Sequence, residues 1–240
     1  ADYANLAKDV ARAVQAGADS FHFDVMDGHY VPNIALSPQH LIALRPYTSL
    51  PFSLHLELGN PDQVLDTFGK LDADIISFQL DRSPDPKATI DRILKRGTKV
   101  SMCVNVDVPL EKALPFINML DEVLMLGVNP GFGGQPMYPQ MGERIQQMRR
   151  MIEKEKPGIP IAVDGGVSLK TAPMLVAAGA ERRISGSASR SSTSWDGLAG
   201  SRHRVPKVRA GARATRPRVA SGTPGSETAN GNGRPGQPSS

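Results

Sequence analysis

The sequence predicts an α/β fold of the (β/α)8 TIM barrel type, in which parallel strands alternate with helices. Seven short apolar segments typical of strands alternate with segments of helical length, a pattern that indicates βαβ units and a parallel sheet. Polar side chains end several different strands, which favours a barrel with its site at the carboxyl ends of the strands. The alternative, a doubly wound dinucleotide-binding sheet, is disfavoured because no Gly-x-Gly-x-x-Gly turn follows the first strand.

The order of the elements follows from local patterns along the chain. Leu6, Val10 and Val14 recur at helical spacing in residues 1–16, and Gly17 ends this predicted helix. Strands are then predicted over residues 20–25, 51–58, 74–80, 99–104, 122–128, 159–164 and 183–185. Helices between the later strands are predicted over residues 62–70, 86–96, 110–120, 141–154 and 169–178.

Two parts of an eight-stranded barrel are not recognisable in the sequence. A strand should precede the opening helix, and a helix should follow the last strand. The sequence begins within the predicted first helix, and its periodicity is lost after Ala188. We therefore expect residues 1–188 to form a barrel domain that lacks the first strand and the last helix, with exposed sheet edges.

The charge of the chain divides into two unlike parts. Residues 1–188 carry 19 Lys and Arg against 22 Asp and Glu, a net charge of −3, whereas residues 189–240 carry 9 against 2, a net charge of +7. Gly, Pro and Ser make up 22 of those last 52 residues, and large apolar side chains are few. Such a segment buries too little surface to offset its ordering entropy, so residues 189–240 are predicted to be a disordered basic tail.

Composition also bounds the partners and the compartment. Basic residues between 202 and 218 would suit nucleic acid, but no interleaved aromatic residues or known module accompany them, so nucleic-acid binding is not expected. No run approaches the roughly 18 apolar residues of a membrane span, and no secretory signal is recognisable. Cys103 is the only cysteine, which excludes an internal disulfide and fits a reducing compartment. The sequence therefore favours a cytoplasmic enzyme with no membrane partner.

Histidine and aspartate side chains lie on three of the predicted strands. His22 and Asp24 are two residues apart and share one face of the first strand, His55 lies on the polar face of the second, and Asp164 ends the sixth. Imidazole and carboxylate together suit one divalent transition metal such as zinc, iron, manganese or cobalt. The alternatives are a hydrogen-bonded pair at His22 and Asp24, and a satisfied core histidine at His55.

Glycine-rich turns follow three of the predicted strands. The first reads Asn129-Pro130-Gly131-Phe132-Gly133-Gly134-Gln135, and the others contain Gly165-Gly166 and Gly186-Ser187. Glycines let backbone N–H groups approach an anion closely, and the last loops of a barrel commonly form a phosphate site. These turns predict a phosphorylated substrate, although the first is also compatible with an ordinary flexible loop.

Five segments, taken together, match the pattern of one family. They are His22-Phe23-Asp24-Val25-Met26-Asp27-Gly28-His29-Tyr30-Val31-Pro32-Asn33, His55, Val128 with the turn to Gln135, Val163-Asp164-Gly165-Gly166 and Gly186-Ser187-Ala188. In this order and at this spacing, they resemble the ribulose-phosphate 3-epimerase family from Ala1 to about Ala188. The resemblance implies a (β/α)8 barrel that interconverts D-ribulose 5-phosphate and D-xylulose 5-phosphate with one bound divalent metal.

The resemblance also implies roles for individual residues. His22, Asp24, His55 and Asp164 would be metal ligands, and Asp24 and Asp164 would also be the catalytic acid/base pair. Epimerisation at C3 removes a proton on one face and returns one on the other through a metal-stabilised enediolate, so each face needs its own acid/base group. Substrate and phosphate would be held by His55, Gly131, Phe132, Gly133, Gly134, Gly165, Gly166, Gly186 and Ser187.

Two positions and one short segment depart from the family pattern at the predicted site. Glu57 and Leu126 each stand where the family usually has methionine, and Phe78-Gln79-Leu80-Asp81 replaces Val-His-x-Glu. These changes make one wall more polar, so 3-epimerisation of a hexulose 6-phosphate is the first alternative function. A non-catalytic barrel with a nucleic-acid-binding basic tail is the second. Because family members commonly form oligomers, a homo-oligomer is a further expectation, although no residue pattern fixes its size.

Overall fold

The computed structural model describes residues 1–65 and 73–186. In this part of the chain seven parallel strands form one curled sheet, and their order in the sheet follows their order in the sequence. They are β1 (Phe21–Met26), β2 (Phe52–Glu57), β3 (Ile75–Gln79), β4 (Lys99–Val104), β5 (Glu122–Leu126), β6 (Ile161–Asp164) and β7 (Arg182–Ile184). Each overlaps a predicted strand, and helices lie between the strands, which confirms the predicted TIM-barrel class.

The α-helices of the described residues pack on the outer face of the sheet. They are α1 (Leu6–Gln15), α2 (Pro38–Leu44), α3 (Pro86–Leu94), α4 (Met141–Glu155) and α5 (Ala172–Ala178). Local signals set their ends: the Asp85 carboxylate accepts a hydrogen bond from the Ala88 N–H at the start of α3, and Gly179, with φ of +109°, ends α5. None of the described helices combines the length and the apolar character needed to cross a membrane.

The sequence pattern does not predict α2. A capping box marks its start, in which the Ser37 N–H donates to Nδ1 of His40 at 3.1 Å, and Pro38 occupies the first helical position. Leu41 and Leu44 are its buried apolar residues in the main core. Two such residues are too few to give a recognisable helical period.

Two other predicted segments differ from expectation or lie outside the described residues. The helix predicted over residues 110–120 is a 3-10 helix, Leu110–Met119, because Pro115 inside it has no N–H to donate. The helix predicted over residues 62–70 is described only in part. Its start is a 3-10 turn, Pro61–Gln63, and residues 66–72 lie outside the described residues. Ser187 and the predicted tail, residues 189–240, lie outside the described residues.

The two faces of the sheet differ in chemistry. Phe52, Leu54 and Leu56 of β2 belong to the large apolar core between sheet and helices, whereas Ser53, His55 and Glu57 point to the inner face. A smaller apolar cluster fills part of that inner face between β4 and β7, and its members are Cys103, Leu124, Leu126 and Ala162 with Ile184 against them. Cys103 is therefore a small buried side chain.

Arg182 on the inner face forms an ion pair with a residue of β5 and a hydrogen bond beside β1. The Arg182 guanidinium on β7 donates to the Ser20 Oγ atom, just before β1, at 3.3 Å and also to the carboxylate of Glu122 at the start of β5. Glu122 is only 2% exposed. Arg182 thus neutralises a buried charge and joins strands that share no ladder hydrogen bonds.

Candidate active site

The four predicted metal ligands converge at the carboxyl-terminal end of the sheet. His22 and Asp24 lie on β1, His55 on β2 and Asp164 at the end of β6, and one ligand atom of each lies within 4.8 Å of the others. Strands β1 and β6 are not neighbours, so the curl of the sheet is what brings Oδ2 of Asp164 to 3.9 Å from Nε2 of His22. These four side chains form a cluster that suits a divalent metal.

The imidazole of His22 shows that this cluster fits a cation. Its Nδ1 atom lies 3.1 Å from the Oγ atom of Ser53, a hydrogen bond that orients the ring. Its Nε2 atom is buried without a hydrogen-bond partner and faces Oδ1 of Asp24 at 3.4 Å and Oδ2 of Asp164 at 3.9 Å. A divalent cation would satisfy this buried nitrogen, and the two carboxylates that face it are further ligands of the kind such a cation prefers.

His55 is fully buried and has a polar neighbour at each ring nitrogen. Its Nδ1 atom faces the cluster, 3.2 Å from Oδ1 of Asp24 and 4.0 Å from Oδ2 of Asp164. Its Nε2 atom lies 3.0 Å from the side-chain nitrogen of Gln79 on β3. Gln79 belongs to the segment that departs from the family pattern, and the alternation of β3 places it on the same inner face as Ser77, which pairs with His55.

Glu57 adds a third carboxylate to the wall of the cluster. Its Oε1 atom lies 3.7 Å from Nδ1 of His55, and its Oε2 atom is buried without a hydrogen-bond partner. Burial raises the pKa of Glu57 to about 7; the charges of Asp24 and Asp164 add to this effect, and that of His55 opposes it. The departure noted in the sequence therefore lies directly at the site.

The two aspartates have opposite pKa shifts. Burial by itself raises the pKa of Asp24, but the hydrogen bond with His55 and charge interactions with His22 and His55 outweigh that effect and lower the pKa well below its usual range. Burial, together with the neighbouring charge of Asp24, raises the pKa of Asp164. One carboxyl group is thus held ionised while the other favours its proton, the contrast that acid/base pairs require.

The glycine turns after β5 and β6 pack against each other beside the cluster. Gly165 and Gly166 directly follow Asp164 and have φ of +92° and +70°. A Cβ atom at Gly166 would lie 2.8 Å from the Cα atom of Met137, so only glycine permits this close approach. Between the two turns lies a cleft of about 440 Å³, lined by residues 134–137, residues 166–168, Lys170 and Thr171.

The cleft contains only some of the predicted phosphate-site residues. Gly134 and Gly166 line it, as does Lys170, which the sequence analysis did not single out. The other described members do not line it: Gly131, Phe132, Gly133, Gly165 and Gly186. Ser187 lies outside the described residues.

One hydrogen bond joins the turn after β5 to the loop after β1. The Asn33 amide donates to the carbonyl oxygen of Gly131 at 2.7 Å, and the Cβ atom of Val31 lies 3.0 Å from where a Cβ atom of Gly131 would be. Phe132 is exposed at the tip of this turn. The segment that carries four of the predicted phosphate residues is therefore held close to the strand that carries His22 and Asp24.

A parallel curled sheet with histidines and aspartates at the carboxyl ends of its strands defines an enzyme of the TIM-barrel class with a candidate metal centre. The chain belongs to the ribulose-phosphate 3-epimerase family, whose model matches residues 1–189. It is 40% identical over 189 residues to the ribulose-phosphate 3-epimerase of Bacillus subtilis (strain 168), a match that covers 78% of this chain and 87% of that protein. The ribulose-phosphate 3-epimerase of Escherichia coli (strain K12) is 39% identical over 189 residues, which cover 78% of this chain and 84% of that protein. The predicted family and the predicted enzyme class, an epimerase, are confirmed.

Solved structures similar to this chain include more distant barrels. A mutant of the tryptophan synthase alpha-subunit from Pyrococcus furiosus superimposes with a TM-score of 0.57 at 14% identity, over 77% of this chain and 82% of that chain. A second mutant of the same subunit gives a TM-score of 0.58 at 14% identity, with the same coverage. At this identity the similarity shows the fold alone.

Proposed function

We propose that the protein interconverts D-ribulose 5-phosphate and D-xylulose 5-phosphate by epimerisation at C3, with Asp24 and Asp164 as the acid/base pair. The observation that carries the proposal is this pair: two carboxyl groups with opposite pKa shifts that both face Nε2 of His22. Membership of the family and the names of the relatives support the same substrate.

Epimerisation at C3 needs a proton donor and a proton acceptor on opposite faces of one carbon. The neighbouring C2 ketone acidifies the C3 proton, which one carboxylate removes as the bonding electrons form an enediolate. The other carboxylic acid then donates a proton to the opposite face of C3. Asp24, held ionised, suits removal, and Asp164, whose pKa is raised, suits donation, and the roles exchange in the reverse direction.

The donor set of the cluster suits a divalent metal. His22 would offer Nε2, His55 would offer Nδ1, and Asp24 and Asp164 would each offer a carboxylate oxygen. When bound, such a metal supplies Lewis-acid stabilisation of the negative charge that develops on the C2 and C3 oxygens of the substrate. The side chains of Asp24 and Asp164 are 41% and 19% exposed, so a substrate can reach both. Zinc, iron, manganese and cobalt all suit these ligands.

We assign the substrate phosphate to the cleft between the two glycine turns. Glycines at positions 134 and 166 would let backbone N–H groups approach an anion closely, and Lys170 supplies a positive charge. The cleft begins within two residues of Asp164, so a phosphate held there would fix the reacting carbon beside the aspartates. The remaining predicted phosphate residues, among them Ser187, stay predictions.

A hexulose 6-phosphate is the second candidate substrate, and one observation favours it. Glu57 places a buried carboxylate, with Oε2 unpartnered, on a wall where the family usually has methionine. A carboxylate there would accept a hydrogen bond from a further hydroxyl group of a longer sugar. Comparing kcat/KM for the pentulose and hexulose phosphates decides between the two substrates.

Exchange of the substrate C3 proton with solvent deuterium, followed by NMR, tests the acid/base assignment. Asp24→Asn and Asp164→Asn are each expected to reduce interconversion about 10³-fold, and Asp91→Asn on the outer helix α3 serves as the control. Metal content is measured in parallel because both aspartates are also proposed ligands. Interconversion within tenfold of the unchanged protein in both site variants would remove these aspartates from the mechanism.

Three further expectations stay predictions. The single cysteine supports a cytoplasmic location, and the resemblance to the family supports a homo-oligomer. Binding of nucleic acid by the basic residues after residue 188 is not expected, and those residues lie outside the described part of the chain.

A further inference from the structure

The side chain of Gln79 lies directly against the imidazole of His55, on the side away from the cluster. Gln79 is fully buried, and its Nε2 atom is 3.0 Å from Nε2 of His55. Its Oε1 atom is also buried and has no hydrogen-bond partner among the described residues. A half-turn of the amide group exchanges these two atoms and places the oxygen against the ring.

The two amide orientations require different forms of the His55 ring. When the Gln79 nitrogen donates, Nε2 of His55 must accept, so the neutral ring carries its proton on Nδ1, beside Asp24. When the Gln79 oxygen accepts, the proton lies on Nε2, and Nδ1 presents a lone pair toward Asp24 and Asp164. A nitrogen that binds a metal cannot carry a proton, so only the second orientation allows His55 to bind through Nδ1.

We propose that Gln79 is a positioning residue whose amide oxygen holds the proton of His55 on Nε2 and thereby presents Nδ1 to the metal. The proposal rests on the proposed metal-binding role of the cluster. Cys103 also lies beside the His55 ring, but its sulfur is a poor hydrogen-bond acceptor. In the second orientation, the Gln79 oxygen is the strong neutral acceptor next to Nε2 of His55.

Manganese binding to metal-stripped protein tests this role with three variants. Gln79→Met keeps the length of the side chain but removes the acceptor, and it should weaken Mn²⁺ affinity 10- to 100-fold, roughly the effect of losing an outer hydrogen bond to a metal-ligating histidine. Gln79→Glu keeps an acceptor and should bind Mn²⁺ within about fivefold of the unchanged protein. Ser101→Ala, which removes a buried hydroxyl group without a partner on β4, is the control and should bind as the unchanged protein does.

The protonation of His55 gives a readout that a purely structural role would not move. In zinc-loaded protein labelled with ¹⁵N, the His55 proton should be detected on Nε2 and should exchange slowly with water. In Gln79→Met the same proton should exchange faster, because it has lost its strong acceptor. The measurement on the unchanged protein needs no substitution, so it can overturn the proposal even if Gln79→Met does not fold.

Either of two results would overturn the role proposed for Gln79 alone. One is a His55 proton on Nδ1 in the zinc-loaded protein, and the other is an Mn²⁺ affinity of Gln79→Met within twofold of the unchanged protein. Failure of the unchanged protein to bind Mn²⁺ at all is a different result. It would overturn the metal-binding role of the cluster, and the role of Gln79 with it.

Discussion

Oε1 of Glu57 lies 3.7 Å from Nδ1 of His55, and both side chains are almost completely buried. The carboxylate therefore stands near the two aspartates without a hydrogen bond to its second oxygen. Burial of a charged group among like charges costs free energy, which the protein reduces by holding the group protonated. Because folding favours the protonated form of Glu57, the stability of the metal-free protein depends on pH.

The free energy of unfolding of the metal-free protein is expected to fall as the pH rises from about 4.5 to 7. The pKa of Glu57 is raised from 4.5 to about 7 by folding, so in this window the folded state binds more protons than the unfolded state. The loss amounts to about 3 kcal/mol above pH 7. Denaturation by urea at pH 5 and pH 8 in the presence of a chelator measures it. Glu57→Gln should remove most of the difference and Glu143→Gln, on the outer helix α4, should not; equal pH dependence in both variants would contradict the assignment to Glu57.

Removal of the His22 imidazole should abolish stabilisation by metal. A ligand that binds only the folded state at 100 times its Kd stabilises it by about 2.7 kcal/mol, so Mn²⁺ should raise the Tm of the unchanged protein. His22→Ala is expected to lower Mn²⁺ affinity at least about 100-fold, because Nε2 of His22 is a buried nitrogen without a hydrogen-bond partner and would be a metal ligand. The Tm of this variant should therefore not rise with Mn²⁺. His29→Ala, 81% exposed, is the matched control and should keep the rise. A full rise in Tm for His22→Ala would exclude His22 as a ligand.

Gly166→Ala should strain the backbone at residue 166 and should also impair the cleft that is proposed to hold the phosphate. Gly158 has a similar positive φ of +89° but open space around it, so Gly158→Ala should cost only the roughly 1–2 kcal/mol of strain typical of that conformation. Gly166→Ala adds a clash with the backbone of Met137 and should destabilise more and raise the KM of the phosphorylated substrate. Urea unfolding and steady-state kinetics measure both effects. An equal KM in the two variants would argue against the cleft as the phosphate site.

Loss of the Arg182 guanidinium should destabilise the fold strongly. Arg182→Met leaves the carboxylate of Glu122 buried without its partner, a change that typically costs about 3–5 kcal/mol. The double variant Arg182→Met/Glu122→Gln removes the unpaired charge and should recover most of that stability. Urea unfolding of both variants measures the difference. If the double variant is as unstable as the single one, the cost arises from packing rather than from the buried charge.

Much of the fold could be predicted because strand alternation is a local signal. Strand β4 was predicted residue for residue, and the polar face of β2, with His55, follows from the period of two. Helix α2 was missed because its stability comes from a capping box and two core leucines rather than from a period of its own. Pro115 converts one predicted helix to a 3-10 helix, since it removes a donor that an α-helix needs.

The site could be predicted in part, for the same reason. His22 and Asp24 are paired by spacing along one strand, which the sequence shows directly. The contact of Gln79 with His55 depends instead on the register between β2 and β3, and the contact of Arg182 with Ser20 depends on the curl of the sheet. Neither the register nor the curl is written in a local pattern, so these partners emerge only from the structure.

The distance in sequence between His22 and Asp164 has a consequence for protein synthesis. The two residues lie on β1 and β6, and they meet only when the sheet has curled. A growing chain on the ribosome that has already exposed β1 and β2 carries both histidines of the cluster and its first aspartate, Asp24. It does not yet carry the second aspartate, Asp164. The proposed metal site and the proposed acid/base pair are therefore completed together, late in translation, once β6 has left the ribosome and paired.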